Sequence, residues 1–508
     1  MMHACVFLAA LSPALALAHP CLPCHAKEVE GFSKTPMAHS IGVAGLQPEG
    51  SFEHAVSGTR FAIKNDPSGL RLSLQRSAES ETLNVQYAIG SGSHAFGYLA
   101  RVENHLFQSP VSYYTIRRVW DVAPGYEDTP NPDFSRPVTV ECLTCHSDKP
   151  RHVAGTLNSY ESPPFEDLGI QCDRCHGSAE SHLRKPVPGS IINPSKLAPA
   201  ERDSVCEQCH LSGEVRIPNP GKSIADFRPG QRIEEVYTVY VRHQAPGKTI
   251  KVISQAEELA LSACSRNSAG KLWCGTCHNP HEMPAQPAEY FRERCLSCHA
   301  TTLAAAHAAR GRDCVACHMP RRPAKDGGHT SFTDHRITRH AEEEGTATTS
   351  DELIAWREPD PGLRDRNLAL GLVTLGIENR RPNQVIRGYK ILNRLGPSLN
   401  QDASALTALG NVLLTGKQPV EAERRFERAL ALRPGYAPYE VNLAAALLSS
   451  GALAEAQRHL ERAVELDPLL LQAVQLLNQV YRSSGQQAKA DRLIGKYRAA
   501  MGISMKTE

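Results

Sequence analysis

An excess of charge of either sign is missing from this sequence: 56 Lys and Arg stand against 54 Asp and Glu, a formal net charge of +2. A chain so near neutrality has no electrostatic hold on a polyanion, so no nucleic-acid partner is expected. Aromatic side chains are scarce, at 6%, and a large domain with so few rings needs some other apolar filling. Long hydrophobic runs are missing too. The one apolar stretch, Val6 to Ala18, is too short to span a bilayer. It closes on Ala16, Leu17 and Ala18, the small-x-small pattern of a signal cleavage site, although Met1 to Cys5 carries no Lys or Arg. Residues 1–18 are therefore expected to be a signal peptide cut near Ala18. The mature chain is expected to have no transmembrane segment and to be periplasmic or otherwise extracytoplasmic.

Cysteine is not scarce, but only Cys5 and Cys264 of the 16 lie outside one recurring motif. Cys-x-x-Cys-His occurs seven times: Cys21, Cys24 and His25; Cys142, Cys145 and His146; Cys172, Cys175 and His176; Cys206, Cys209 and His210; Cys274, Cys277 and His278; Cys295, Cys298 and His299; Cys314, Cys317 and His318. Two thiols one helical turn apart reach the two vinyl groups of a porphyrin, and the next imidazole falls beneath the iron. Zinc knuckles, dithiol redox pairs and disulfide frameworks use Cys-x-x-Cys but have no need of the following His. Seven such histidines by chance is on the order of 10⁻¹⁰ for a chain of this composition. The expectation is seven covalent haem c groups, each with iron held by the motif His. The porphyrins then supply the missing apolar filling.

A second His closes the open face of a haem iron and favours electron transfer over substrate binding. Of 22 His, seven belong to the motifs, His3 to the N-terminal segment and His459 to the C-terminal part. Thirteen remain for seven distal places: His19, His39, His54, His94, His105, His152, His182, His243, His281, His307, His329, His335 and His340. All seven irons can be bis-His.

The expected fold is mainly α with a small β region: a loop-rich multihaem cytochrome domain followed by a C-terminal α-solenoid. Residues 19–341 form the cytochrome domain. Within it a β-rich insertion spans about 50–135, where alternating bursts such as Arg60 to Lys64 and Leu70 to Leu74 are separated by turn signals such as Asn65 to Gly69. Residues 342–360 read as an acidic, polar linker. From 361 to 508 the pattern repeats every 34 residues. Leu375-Gly376, Leu409-Gly410, Leu443-Ala444 and Leu477-Asn478 share a register, as do Ala422, Ala456 and Ala490. Pro434 and Pro468 close two units, and Gly388 stands where the later units have Ala. Period and small-residue positions are those of tetratricopeptide repeats, whose paired helices cross closely. Basic residues Arg310, Arg312, Arg321, Arg322, Lys325, Arg336 and Arg339 bracket the seventh motif and are candidates to pair haem propionates.

Residues 274–281 (CGTCHNPH), 172–182 (CDRCHGSAESH), 314–320 (CVACHMP) and 329–335 (HTSFTDH) resemble multihaem cytochromes related to cytochrome c554. That wider group includes pentahaem nitrite reductase and octahaem hydroxylamine oxidoreductase. The resemblance covers about 19–340, and it implies that His281 ligates a neighbouring haem, with His182 and His335 next as distal ligands. His39, His94, His152 and His329 follow on local resemblance and spacing. The family's Gly-Pro-Gly after the third motif is Gly177, Ser178 and Ala179 here. The resulting expectation is an electron-transfer protein, with redox partner proteins docking through the tetratricopeptide repeats. The alternative is a multihaem oxidoreductase acting on a small nitrogen or sulfur compound at one open haem. The Lys that marks the catalytic haem in nitrite reductase relatives has no counterpart, since no Cys-x-x-Cys-Lys occurs. A Tyr crosslink of the hydroxylamine oxidoreductase kind, at Tyr113 or Tyr114, stays open.

Overall fold

The computed structural model describes residues 19–67, 69–77, 79–242, 247–299, 313–338 and 350–505. The expected signal peptide, His243, His307, His340, Arg310, Arg312, Arg339 and residues 342–349 of the expected linker lie outside them.

The β part is larger than a small insertion. Its strands are β1 (Ile41–Val43), β2 (Gly50–His54), β3 (Thr59–Asp66), β4 (Gly69–Arg76), β5 (Glu79–Ile89), β6 (Gly97–Val102) and β7 (His105–Gln108). Strands β2 to β7 pair in sequence order, all antiparallel. The eleven-residue β5 is the spine. One edge carries β4 and then β1, while the other carries β6 and, at Glu79 to Glu81, the last described strand of the chain. Alternation drives the layer: Phe61 and Ile63 of β3 and Leu70, Leu72 and Leu74 of β4 are buried, while Arg60 and Lys64 face water. Gly69, at φ +136°, sits so close to Val85 that a Cβ would stand 2.6 Å from its carbonyl oxygen. Smaller pairs follow: β8 (Val111–Tyr114) with β9 (Val119–Val122), β10 (Pro150–His152) with β11 (Tyr160–Phe165), β12 (Val215–Pro218) with β13 (Tyr237–Val241), and β14 (Arg321–Pro323) with β15 (Ser331–Thr333).

Short helices carry or flank the motifs: α1 (Ala26–Phe32), α2 (Val140–Leu143), α3 (Asp173–His176), α4 (Glu180–Arg184), α5 (Pro199–His210), α6 (Gln255–Leu261), α7 (Ala263–Arg266), α8 (Cys274–Cys277), α9 (Pro287–His299) and α10 (Cys314–His318). Eight longer helices end the chain in four pairs: α11 (Arg364–Glu378) with α12 (Pro382–Leu395), α13 (Ala403–Thr415) with α14 (Pro419–Leu432), α15 (Ala437–Ser450) with α16 (Leu453–Leu466), and α17 (Leu471–Ser483) with α18 (Gln487–Ala500). Ala422, Ala456 and Ala490 are fully buried, as their register requires, and Gly388 is buried in the same place. At Gly410 a Cβ would meet the Phe426 ring at 2.4 Å, so the helix crossing needs its smallest residue there.

Residues 350–360 were expected as part of a polar linker, and the structure differs. Strand β16 (Ile354–Ala355) adds to β13, Trp356 donates through its backbone to Val239 and through its indole to Glu207, and Arg357 pairs with Glu207 at 2.6 Å. Leu353 and Trp356 supply the apolar surface that fixes the segment. The repeats are accordingly packed on the rest of the chain. Leu469, Val474, Tyr497 and Met501 join the core of the sheet, and β17 (Ile503–Met505) completes the free edge of β5. At the other end, the Asn367 side chain of α11 hydrogen-bonds Asn219 and Thr238 beside β12 and β13.

Candidate metal centres

Each described motif occupies one turn of helix or a helix end. Backbone bonds from His to the first Cys close that turn at 2.9 Å in the first, third and fifth motifs (His25 to Cys21, His176 to Cys172, His278 to Cys274). The thiols are partly or fully exposed, and none forms a disulfide among the described residues. The motifs adjoin one another. Side-chain hydrogen bonds link Cys21 with Cys172, Cys145 with Cys209, Cys206 with Cys274, and Cys295 with Cys314. Cys277 lies within electrostatic reach of Cys298 and of Cys264.

The imidazoles are prepared in a consistent way. His146, His176 and His318 direct Nδ1 at the backbone oxygens of Ser40, Ile192 and Thr338, at 3.2, 2.8 and 2.8 Å. A carbonyl only accepts, so Nδ1 bears the proton and Nε2 keeps its lone pair, the form that binds a metal. His335 does the same towards Thr333 at 2.9 Å. His182 does so towards the Ser190 hydroxyl at 2.8 Å, whose own proton goes to Val187. Burial holds His278 down at about 4, aided by His335 and His210. Burial likewise lowers His335, His281 and His146. Neutral imidazoles at neutral pH are the ligating species.

Three motif histidines face a second imidazole. Ring centroids are 6.3 Å apart for His25 and His182, 5.9 Å for His176 and His281, and 6.3 Å for His278 and His335. Two metal–nitrogen bonds of about 2 Å, with roughly 1.1 Å from each ring centre to its nitrogen, put facing centroids about 6 Å apart. The donor set and its spacing thus fit a doubly ligated haem iron. His281 faces the imidazole of the third motif, not that of its neighbour His278.

The other distal candidates are engaged elsewhere. His39 is exposed and donates from Nε2 to the Ser33 carbonyl at 2.8 Å, the opposite tautomer. His94 accepts from Arg321 at Nδ1 and lies against the Phe332 ring at a tilt of 40°, with burial and then Arg321 lowering its pKa. His329 bridges Asp121 at 2.6 Å and Arg117 at 3.0 Å, using both nitrogens. His152, in β10, stands edge-on to Tyr160. His54 and His105 are buried with polar partners of their own. His19 was not ranked from the sequence, yet its Nε2 lies 3.5 Å from Cys172 Sγ, and it converges with Cys21 and Cys172. Its position two residues before the first motif was the available signal. Tyr113 and Tyr114 are buried in β8, and the Tyr114 hydroxyl donates to Val122. Among the basic residues around the seventh motif, Arg322 and Arg336 both clamp the buried Asp334.

Comparison with known proteins agrees with two parts of this picture. Residues 127–177, which include the second and third motifs, match the family model for cytochrome c554 and c-prime. Residues 413–479 match a tetratricopeptide repeat model. No curated protein matches the chain. Similar solved structures include MamA (21% identity, 27% of this chain and 80% of that one, TM-score 0.24). Others are a Thermobaculum terrenum O-GlcNAc transferase mutant (27% identity, 23% of each chain, TM-score 0.21) and the first TPR domain of human RPAP3 (20% identity, 24% of this chain and 96% of that one, TM-score 0.21). The chain therefore joins a cytochrome c554-like segment to C-terminal helical repeats of tetratricopeptide type. No described helix is long and apolar enough to cross a membrane.

Proposed function

We propose that this chain is an exported c-type cytochrome that carries electrons between redox partner proteins through seven haem c groups. The fourteen motif cysteines would hold the groups through thioether links, and the seven motif histidines would ligate the irons. His182, His281 and His335 would supply a second imidazole at the first, third and fifth sites. The observation that carries this reading is the set of three facing imidazole pairs at about 6 Å. Haem c supplies reversible one-electron exchange at iron. The protein's own part is to hold ligating nitrogens unprotonated through Nδ1 hydrogen bonds, as at His146, His176, His182, His318 and His335, to set a second imidazole opposite three motif histidines, and to keep neighbouring motifs within contact. Closed faces and short separations suit electron transfer better than conversion of a substrate. Thioether attachment takes place outside the bacterial inner membrane, which accords with cleavage near Ala18.

Redox partners are proposed to dock on the outer helices of the repeats, where Ile386, Val420 and Leu453 are exposed. Intact mass and a pyridine haemochrome assay test the haem count: seven groups are expected, and six or fewer in a fully matured sample refutes the assignment. The oxidised protein should be low-spin by EPR, and the reduced protein should not bind CO. A dominant high-spin signal would return the reading to an enzyme with an open haem.

A further inference from the structure

Asp467, at the register of Leu399 and Arg433 in earlier units, is the one acidic residue of the three. It sits in the loop between α16 and α17 and is fully buried. A buried carboxylate is unfavourable unless charge and lone pairs are matched. Its partners come from the β part of the molecule. Oδ2 accepts the backbone N–H of Leu157 at 2.9 Å, and Oδ1 accepts from His105 Nε2 in β7 at 2.8 Å. At the start of α15 the Ala437 N–H donates to the Gly155 carbonyl at 2.9 Å. Gly155 has φ +87°, and a Cβ there would lie 2.4 Å from the Gly435 oxygen, so the approach is backbone against backbone. Between these bonds the Leu157 side chain enters an apolar seat formed by Ala437, Val441, Ala463, Leu470 and Ala473.

The visiting segment is a compact turn. Thr156 bonds Val153, the Val153 N–H bonds Ser159, and Asn158 ties the turn to Leu106 of β7. One carbonyl, one N–H and one leucine therefore meet a donor, a carboxylate and an apolar seat.

We propose that the N-terminal ends of α15 and α17 form a binding site whose ligand is this chain's own turn, residues 153–158. The repeat array is then an internal clamp on the strand pair that directly follows the second Cys-x-x-Cys-His, in addition to any partner it receives on its outer helices. The claim is independent of haem, because every contact in it is protein to protein.

A protease site placed within residues 342–349 of the full chain tests it. After cutting, the two pieces should still co-elute in buffer and separate only in urea. Leu157→Ala and Asp467→Asn should each lower the urea concentration of separation, whereas Arg458→Ala on the exposed face of α16 should not. In the uncut protein, Asp467→Asn should speed exchange of the Leu157 amide by about tenfold. Separation of the cut pieces in plain buffer overturns the proposal. So does an unchanged separation midpoint in Leu157→Ala, or a Leu157 amide that exchanges at the solvent rate in the parent. Haem count by mass, read on the same samples, shows separately whether the cytochrome reading stands.

Discussion

At the scale of single residues, the site is a matter of which nitrogen keeps its lone pair. His281 faces His176 at 5.9 Å, whereas Pro280 and the turn after α8 keep it from sharing a metal with His278. His281→Ala should convert one haem to high spin and leave six unchanged. In a chain also lacking Cys172 and Cys175 the same substitution should leave the remaining EPR spectrum as it was. A change in the fifth site's signal instead would show that the imidazole serves a different iron. The motif residues were legible because their chemistry is local, with three side chains in five positions. The resemblance singled out His281, His182 and His335, and the structure sets each about 6 Å from a motif imidazole. Their pairing was not legible, because His25 and His182 meet across more than 150 residues and spacing carries no record of that. Nor could sequence show that His39, His94 and His329 give their nitrogens to Ser33, Arg321, Asp121 and Arg117.

At the scale of elements, periodicity was the reliable guide. Phe61 and Ile63 alternate with Arg60 and Lys64, and the 34-residue register places Gly410 where α13 crosses the Phe426 ring of α14. Gly410→Leu should therefore force that pair apart. A loss of about 1–3 kcal/mol is expected from overpacking, measurable by urea unfolding, with haem content unchanged. The stretch before the repeats misled because its signals are short. β16 is two residues long, and its partner β13 lies more than 100 residues away. Acidic composition around 342–351 hid the anchoring roles of Leu353, Trp356 and Arg357. The extent of the sheet was hidden for the same reason, since β1 and β17 reach β5 from remote parts of the chain.

At the scale of the whole molecule, the sheet and the repeats share one core, and a carboxyl lies in their seam. Glu81 of β5 pairs across to Ile503 of β17 and is 4% exposed. Burial, then Asp133, raise its pKa to about 8, against the partial relief of the Phe134 N–H and Arg76. An acid whose folded pKa lies above its unfolded one binds more protons when folded, so its contribution to stability declines as pH rises from about 4.5 to about 8 and levels off above that. Unfolding midpoints measured across that window should fall, and Glu81→Gln should flatten the slope. An equal slope in the variant would assign the dependence to another group. The seam also sets a timetable for synthesis. The edge of β5 at residues 79–81 waits for residues 503–505, and Ser80 bonds Ser504 across 424 positions. Closing so long a loop adds little to the equilibrium cost, about 0.6 kcal/mol for each doubling of length. Its price is time: while the chain is still emerging, the N-terminal sheet keeps an open edge able to pair with a neighbouring nascent chain. Yield should therefore depend on how sparsely the growing chains are spaced, and a helper that shields strand edges during folding should raise it more than one that only hastens helix formation.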